Sequence, residues 1–365
     1  LLGLREIEPG QNLKVKPYSL MHWGNHLAEP NDWDLDVGAD VKYGLTPGLT
    51  LDLTVNTDFS HVEVDDQQIN LTRFSLFFPE KRDFFLENSG IFVFGEGSRE
   101  LSTRGRRTNL TDLILFFSRK IGLSDDRQPV PILGGARLTG KAGKYRLGFL
   151  NMQTRKLGET PAYNFTVARV RRDIFSFSDI GAMFLNRHSQ FDNDSNRVFG
   201  MDANFQFWQK LKISSFLTKA ESPDVNDKNW AGNLAVRWRD PVLEAGFSHY
   251  DIGENFNNEM GFVPRTGIKI FEPNAGIRLR LEGHSLIRQF FPHTRIRHIT
   301  DQDNRTVTKY QHFDWTTQFH GGGQIALARN FYFERLDEPF RIRPGIVIPM
   351  GDYRWAETNI NISSN

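Results

Sequence analysis

From Trp33 to Tyr43 the odd positions are apolar or small (Trp33, Leu35, Val37, Ala39, Val41, Tyr43) and the even positions are polar or glycine (Asp34, Asp36, Gly38, Asp40, Lys42). A period of two sustained over 11 residues gives an extended strand with one apolar and one polar face, and no helix reproduces it. The turn Gly44-Leu45-Thr46-Pro47-Gly48 follows, and then Leu49, Leu51, Leu53 and Val55 alternate with Thr50, Asp52, Thr54 and Asn56. The same period returns at Phe199–Phe207, Trp230–Arg239 and Ala275–Glu282. Strands of water-soluble domains average about 5–6 residues, whereas strands that cross a bilayer need about 9–11. Most of these runs belong to the longer class. Trp33 and Tyr43, and Trp230 and Trp238, sit at strand ends, as aromatic girdles at two membrane interfaces do.

Composition narrows the alternatives. The 365 residues hold 45 basic and 44 acidic side chains, a balance that argues against a nucleic-acid partner. Cysteine is absent, which excludes disulfides, thiolate metal sites and cysteine nucleophiles. Mean hydropathy is −0.47 and no apolar run approaches a membrane-spanning helix. Alternating barrel strands score as polar on average and remain allowed.

Connections supply an independent test. Short ones fall at 140–144, 172–178, 208–210, 240–241 and 282–285. Longer polar ones lie between them at 155–161, 186–196, 221–229 and 251–267. Short periplasmic turns alternating with longer external loops are the habit of an up-and-down transmembrane barrel. The predicted class is therefore all-β: an antiparallel up-and-down transmembrane β-barrel with one insertion. Residues 58–110 are too long for a hairpin loop and are expected to form a plug or lid. Three strands are counted outside this segment between the turns at 44–48 and 140–144. Both turns belong on one side, so a fourth strand is expected inside it, around Ile91–Phe94.

The insertion and its flanks carry a resemblance. Asp58-Phe59-Ser60-His61-Val62-Glu63, the run Arg73-Phe74-Ser75-Leu76-Phe77-Phe78-Pro79-Glu80-Lys81-Arg82, and Phe84-Phe85-Leu86-Glu87 are its centre. Leu115-Phe116-Phe117-Ser118-Arg119-Lys120-Ile121-Gly122 and Leu133-Gly134-Gly135-Ala136-Arg137 extend it. The chain resembles an uncharacterised bacterial outer-membrane barrel domain, a domain of unknown function that typically follows a family 9 carbohydrate-binding module. The resemblance implies a bacterial outer-membrane location and no established activity. It further implies that residues 1–10 end a linker from an absent N-terminal module, that 11–365 are barrel, and that the closing C-terminal strands are missing.

Candidate site residues follow from charge and position. His61 with Glu63, Asp65 and Asp66 has cation-ligand chemistry, but its spacing matches no established metal motif, and an acidic loop or lumen wall is the preferred reading. Arg73, Glu80, Lys81, Arg82 and Glu87 are expected to pin the insertion in a polar lumen or to contact a ligand. On the early strands Asp34, Asp36, Asp40 and Asp52 fall on the lumen parity; on later ones Arg237, Arg239, Arg278 and Arg280 do. An acidic wall facing a basic wall would set a field across the lumen, unless the two neutralise one another or the plug. No catalytic set, metal site or cofactor is expected. The basic clusters Arg104-Gly105-Arg106-Arg107 and Arg171-Arg172 read as a solvated rim.

Two function classes remain. The first is a porin-like transport, anchoring or binding barrel in contact with outer-membrane lipid, with a saccharide ligand suggested by family association. The second is a surface or membrane-embedded hydrolase acting on carbohydrate or lipid, which asks for a histidine and a carboxylate or serine together at one rim. His249, His293 and His298 are its candidates. The sequence favours the first and leaves open pore against plugged barrel undecided.

Overall fold

The computed structural model describes residues 12–24, 32–57, 73–95, 113–124, 129–189, 191, 194–223 and 225–364. The first strands are β1 (Leu13–Gly24), β2 (Asp32–Thr46), β3 (Leu49–Val55), β4 (Ile132–Ala142), β5 (Tyr145–Thr154) and β6 (Tyr163–Phe175). Then come β7 (Ser178–Ser189), β8 (Ser195–Phe207), β9 (Leu211–Glu221), β10 (Trp230–Arg239), β11 (Leu243–Ile252), β12 (Ile268–Ile277) and β13 (Leu279–Arg280). The last are β14 (Ile287–Asp301), β15 (Thr306–Phe319), β16 (Gln324–Leu336), β17 (Phe340–Arg343), β18 (Ile346–Ile348) and β19 (Gly351–Ser363).

Each strand from β1 to β12 pairs antiparallel with the next. β12 and β13 both lie along β14, and the series continues through β15 and β16 to β19. β17 and β18 form a separate hairpin between β16 and β19. Among the described residues no register joins β1 to β19. The wall is thus an all-β, antiparallel up-and-down meander, as the period of two dictates.

Turn chemistry matches the strand spacing. Trp208 and Gln209 both adopt positive φ, 51° and 58°, the pair of left-handed conformations that lets a two-residue turn follow the strand twist. One side of the wall carries only short turns; the 253–267 and 337–350 connections lie on the other. Residues 302–305 and 190–194 are short links on the long-loop side.

The two faces of the wall are inside out relative to a water-soluble sheet. Along β8, Phe199 and Met201 are exposed while Asp202 and Asn204 are buried. Leu53 and Val55 of β3 are exposed and Asp52 and Thr54 are buried. Leu35, Val37, Leu217 and Leu234 continue the outward apolar surface, far beyond the patch size a soluble monomer leaves in water. Such an exterior suits hydrocarbon, where a strand array satisfies its backbone groups laterally. Phe175, Phe177 and Trp208 stand exposed at the short turns, and Trp230 at the opposite rim.

The connection between β3 and β4 covers 56–131 and contains α1 (Asp83–Leu86) and two 3-10 turns, Ser89–Phe92 and Ser118–Lys120. The strand expected at Ile91–Phe94 is therefore absent; its start is one of these 3-10 turns. β3 pairs directly with β4, Leu49 opposite Gly140, so two strands separate the turns at 47–48 and 143–144 and parity needs no more. The surplus strand of the sequence count belongs to the connection itself, where 113–124 makes only isolated bridges, Ile114 with Phe262 and Leu123 with Pro129.

The described parts of this connection lie on the inner face. Phe85, Phe92, Phe94, Leu113 and Leu115 form one buried cluster with Leu150, Met152, Phe165, Val167, Leu185 and Val198 of the wall. Burial of each large side chain stabilises by about 1.5–3 kcal/mol, which fixes the segment there. Its span shows the wall is curved: Arg73 pairs with Glu334 of β16, and Glu87 pairs with Lys42 of β2. Those strands stand thirteen spacings apart along the sheet, about 60 Å if it were flat, whereas the stretch from Arg73 to Glu87 includes a helical turn and packs against the inner face.

Candidate lumen site and its anchors

Wall arginines hold the inserted segment by its main chain. Arg137 of β4 is buried, bonds Asp52 at 2.8 and 3.1 Å, and donates to the carbonyls of Phe84 and Glu87. Arg169 and Arg171 of β6 both donate to the carbonyl of Val93, at 3.1 and 2.7 Å. Asp202 accepts from the Gly95 amide at 3.0 Å. Asn258 donates to the Leu115 carbonyl at 2.7 Å. A segment with little secondary structure of its own leaves carbonyls to satisfy, and these side chains satisfy them. The glycines opposite make the room: a Cβ on Gly200 would stand 2.7 Å from Phe94 and 2.8 Å from Leu115, and one on Gly148 would stand 2.8 Å from Phe92.

Within the segment, Glu80 and Arg82 form a two-pronged pair, Nε to Oε1 at 2.8 Å and Nη2 to Oε2 at 2.7 Å. Arg82 also donates to the carbonyls of Ile121 and Ser118, both at 2.7 Å, and lies over the Phe85 ring. Burial pushes the Glu80 carboxyl up, but Arg82 and the Ser118 hydroxyl outweigh it and hold it below its ordinary value.

The other half of the inner face is open. A cavity of about 1400 Å³ lies against β10–β12, β14–β16 and β19, with Phe340 and Ile348 of the β17–β18 hairpin at its edge. Seven arginines line it and three glutamates answer them. Arg278 bonds Glu244 at 2.8 Å and Arg297 bonds Glu272 at 3.0 Å. Arg265 and Arg295 form no ion pair with a carboxylate among the described residues. Arg265 lies over the Phe74 ring and donates to Thr308. Burial, then the neighbouring charge of Arg73, pushes its guanidinium down to about 10, which leaves it charged at neutral pH. Tyr310, Tyr332 and Trp355 add an aromatic strip, Tyr332 stacked on Trp355 at 5.0 Å.

The residues singled out from sequence divide. Arg237, Arg239, Arg278 and Arg73 line the cavity. Arg280 does not: the wall breaks at Arg278, whose amide bonds the Val242 carbonyl, and Arg280 stands exposed beyond the break. Asp40 accepts from Thr54, and Asp52 is neutralised by Arg137 and Lys42, so these early-strand acids are locally matched. Glu80 and Arg82 face residues 118–121 rather than the cavity, Lys81 is half-buried, and Glu87 is held by Lys42 and Arg137. The side chains of Asp34 and Asp36, and residues His61, Glu63, Asp65, Asp66 and 1–10, lie outside the described residues.

Sequence reasoning missed Arg295 and Arg297, although their spacing of two puts both on one strand face. It missed Arg137 and Arg169, whose role depends on a segment folded back over them.

Comparison with known proteins adds the following. A family model described as a domain of unknown function, DUF5916, matches residues 9–156. No curated protein matches the sequence. Among solved structures the chain is similar to Pseudomonas aeruginosa OpdL, with 10% identity, a TM-score of 0.36, and 97% of this chain and 89% of that one covered. It is similar to OccK8 (OprE) of the same organism at 10% identity and a TM-score of 0.39, covering 97% and 89%. It is also similar to the P. aeruginosa outer membrane protein OprD at 9% identity and a TM-score of 0.37, covering 96% and 84%.

Proposed function

We propose that the chain forms the wall of a porin-like channel in a bacterial outer membrane, narrowed by its inserted segment to a cavity that admits small anions. The observation that carries this reading is the cavity itself, where seven arginines face three glutamates. Low-dielectric walls focus such a field and raise the local concentration of counter-ions. Arginine forks pair well with carboxylates, and the aromatic strip suits a solute with a flat or ring-shaped body. An acidic saccharide fits both requirements; the carbohydrate link is supported by the sequence resemblance alone.

The hydrolase reading gains nothing from the geometry. His293 and Asp314 approach to 3.3 Å, yet both sit in mid-strand, away from either rim.

The test is the reversal potential of the reconstituted protein in a planar bilayer under a potassium chloride gradient. Anion preference is expected, and replacing Arg265 and Arg295 together by glutamate should turn it toward cations. Cation preference in the unaltered protein, or no conductance, overturns the reading.

A further inference from the structure

Two histidines on adjacent strands meet inside the lumen with a nitrogen of each ring facing the other. His293 of β14 and His312 of β15 place their Nε2 atoms 3.3 Å apart. The other nitrogen of each ring is committed. His312 Nδ1 lies 2.7 Å from Asn330 Oδ1. That oxygen is fixed as an acceptor, because the Asn330 amide nitrogen donates to Glu357 at 2.8 Å and the Tyr310 hydroxyl donates to the same oxygen at 3.2 Å. His293 Nδ1 faces two acceptors, Asp314 Oδ1 at 3.3 Å and the Phe291 carbonyl at 3.5 Å. Acceptors at both Nδ1 atoms favour the tautomer that leaves both Nε2 lone pairs free on the facing side.

We propose that this is a divalent transition-metal site, with His293 and His312 as ligands through Nε2. Metal–imidazole bonds of 2.0–2.1 Å in tetrahedral geometry put two nitrogens about 3.3–3.4 Å apart. The observed separation matches. Asp314 lies on the Nδ1 side of His293 and so orients that ring rather than binding the metal; its carboxylate and a nitrogen of each ring lie within 4.8 Å of one another. Two imidazole ligands suit zinc, nickel or copper and not calcium or magnesium. The surroundings are those of a supported site. Asn330 and Glu357 orient His312, Glu357 is itself held by the Tyr332 hydroxyl at 2.7 Å, and His293 stacks on the Phe291 ring. Both histidines border the cavity, so the remaining coordination positions open onto the lumen. The site stands whether or not the channel conducts.

The experiment is titration of the untagged protein in detergent with copper(II), followed by electron paramagnetic resonance and calorimetry. One equivalent bound with two imidazole nitrogens in the spectrum is expected. His312→Gln and His293→Gln should each abolish the two-nitrogen signal, and His249→Gln should leave it intact. Asn330→Ala, which only orients His312, should weaken affinity about 10–100-fold. Folding of each variant is checked by retention of the heat-modifiable band. Absence of stoichiometric binding, or a two-nitrogen signal that survives in His312→Gln, overturns the proposal.

Discussion

Arg169 of β6 reaches across Gly181 of β7 to grip Asp202 of β8, with Nη1 to Oδ1 at 2.6 Å and Nη2 to Oδ2 at 2.8 Å. Both side chains have no solvent exposure. The bridge spans two strand spacings because β7 offers a hydrogen where any other residue would place a Cβ 2.6 Å from the guanidinium. The pair then serves the inserted segment, Arg169 through the Val93 carbonyl and Asp202 through the Gly95 amide.

Asp202→Ala should therefore cost about 3–5 kcal/mol, since it strands a buried guanidinium and frees a buried amide. Urea unfolding of the lipid-refolded protein measures it. Gly181→Val should act in the same direction with both charged residues still present. A midpoint unchanged in both variants would show that the bridge does not support the fold.

Met201 lies at the centre of β8 on the outward face. Met201→Arg should cost roughly 2–4 kcal/mol near the bilayer midplane, and the inward Gln206→Arg much less. Comparing the two refolding free energies in the same lipid decides whether the apolar face meets hydrocarbon.

Gly200→Leu inserts a side chain where Phe94 and Leu115 already sit. Overpacking of this kind costs about 1–3 kcal/mol and is relieved by moving the segment away from the wall. Faster swelling of proteoliposomes in small sugars is expected, as it is after deletion of residues 73–87. Unchanged swelling in a deletion variant that still assembles would assign the segment to a lid or docking role.

The Glu80 carboxyl has a lowered folded pKa, so its contribution is complete above its ordinary value of 4.5 and fades as pH falls through the lower folded value. The Glu80–Arg82 clasp should then hold at neutral and mildly acid pH and loosen only under stronger acid. Hydrogen exchange of residues 80–95 across that window measures it. Glu80→Gln should flatten the dependence and leave the segment less protected at pH 7.

The wall was legible in the sequence because its cause is local. A strand between lipid and a polar interior must alternate at every residue, and the runs around Leu53 and Met201 show both faces at once. The alternation of short and long connections is local too. The inserted segment was legible as a break in that rhythm, but its conformation was not: Val93 and Gly95 take their partners from β6 and β8, more than 70 residues away. Turn parity alone made a strand of what tertiary hydrogen bonds hold as a turn. The parity that marks a lumen-facing arginine is likewise written in the chain, whereas its partner is not. Arg137 is matched by Asp52, and Arg295 meets open space in the cavity, because curvature and the insertion decide which part of the inner face is filled. The meeting of His293 and His312 is of the same kind. Nothing in a spacing of 19 residues announces it; the register of β14 on β15 brings the rings together, and Asn330 from a third strand turns one of them to face the other.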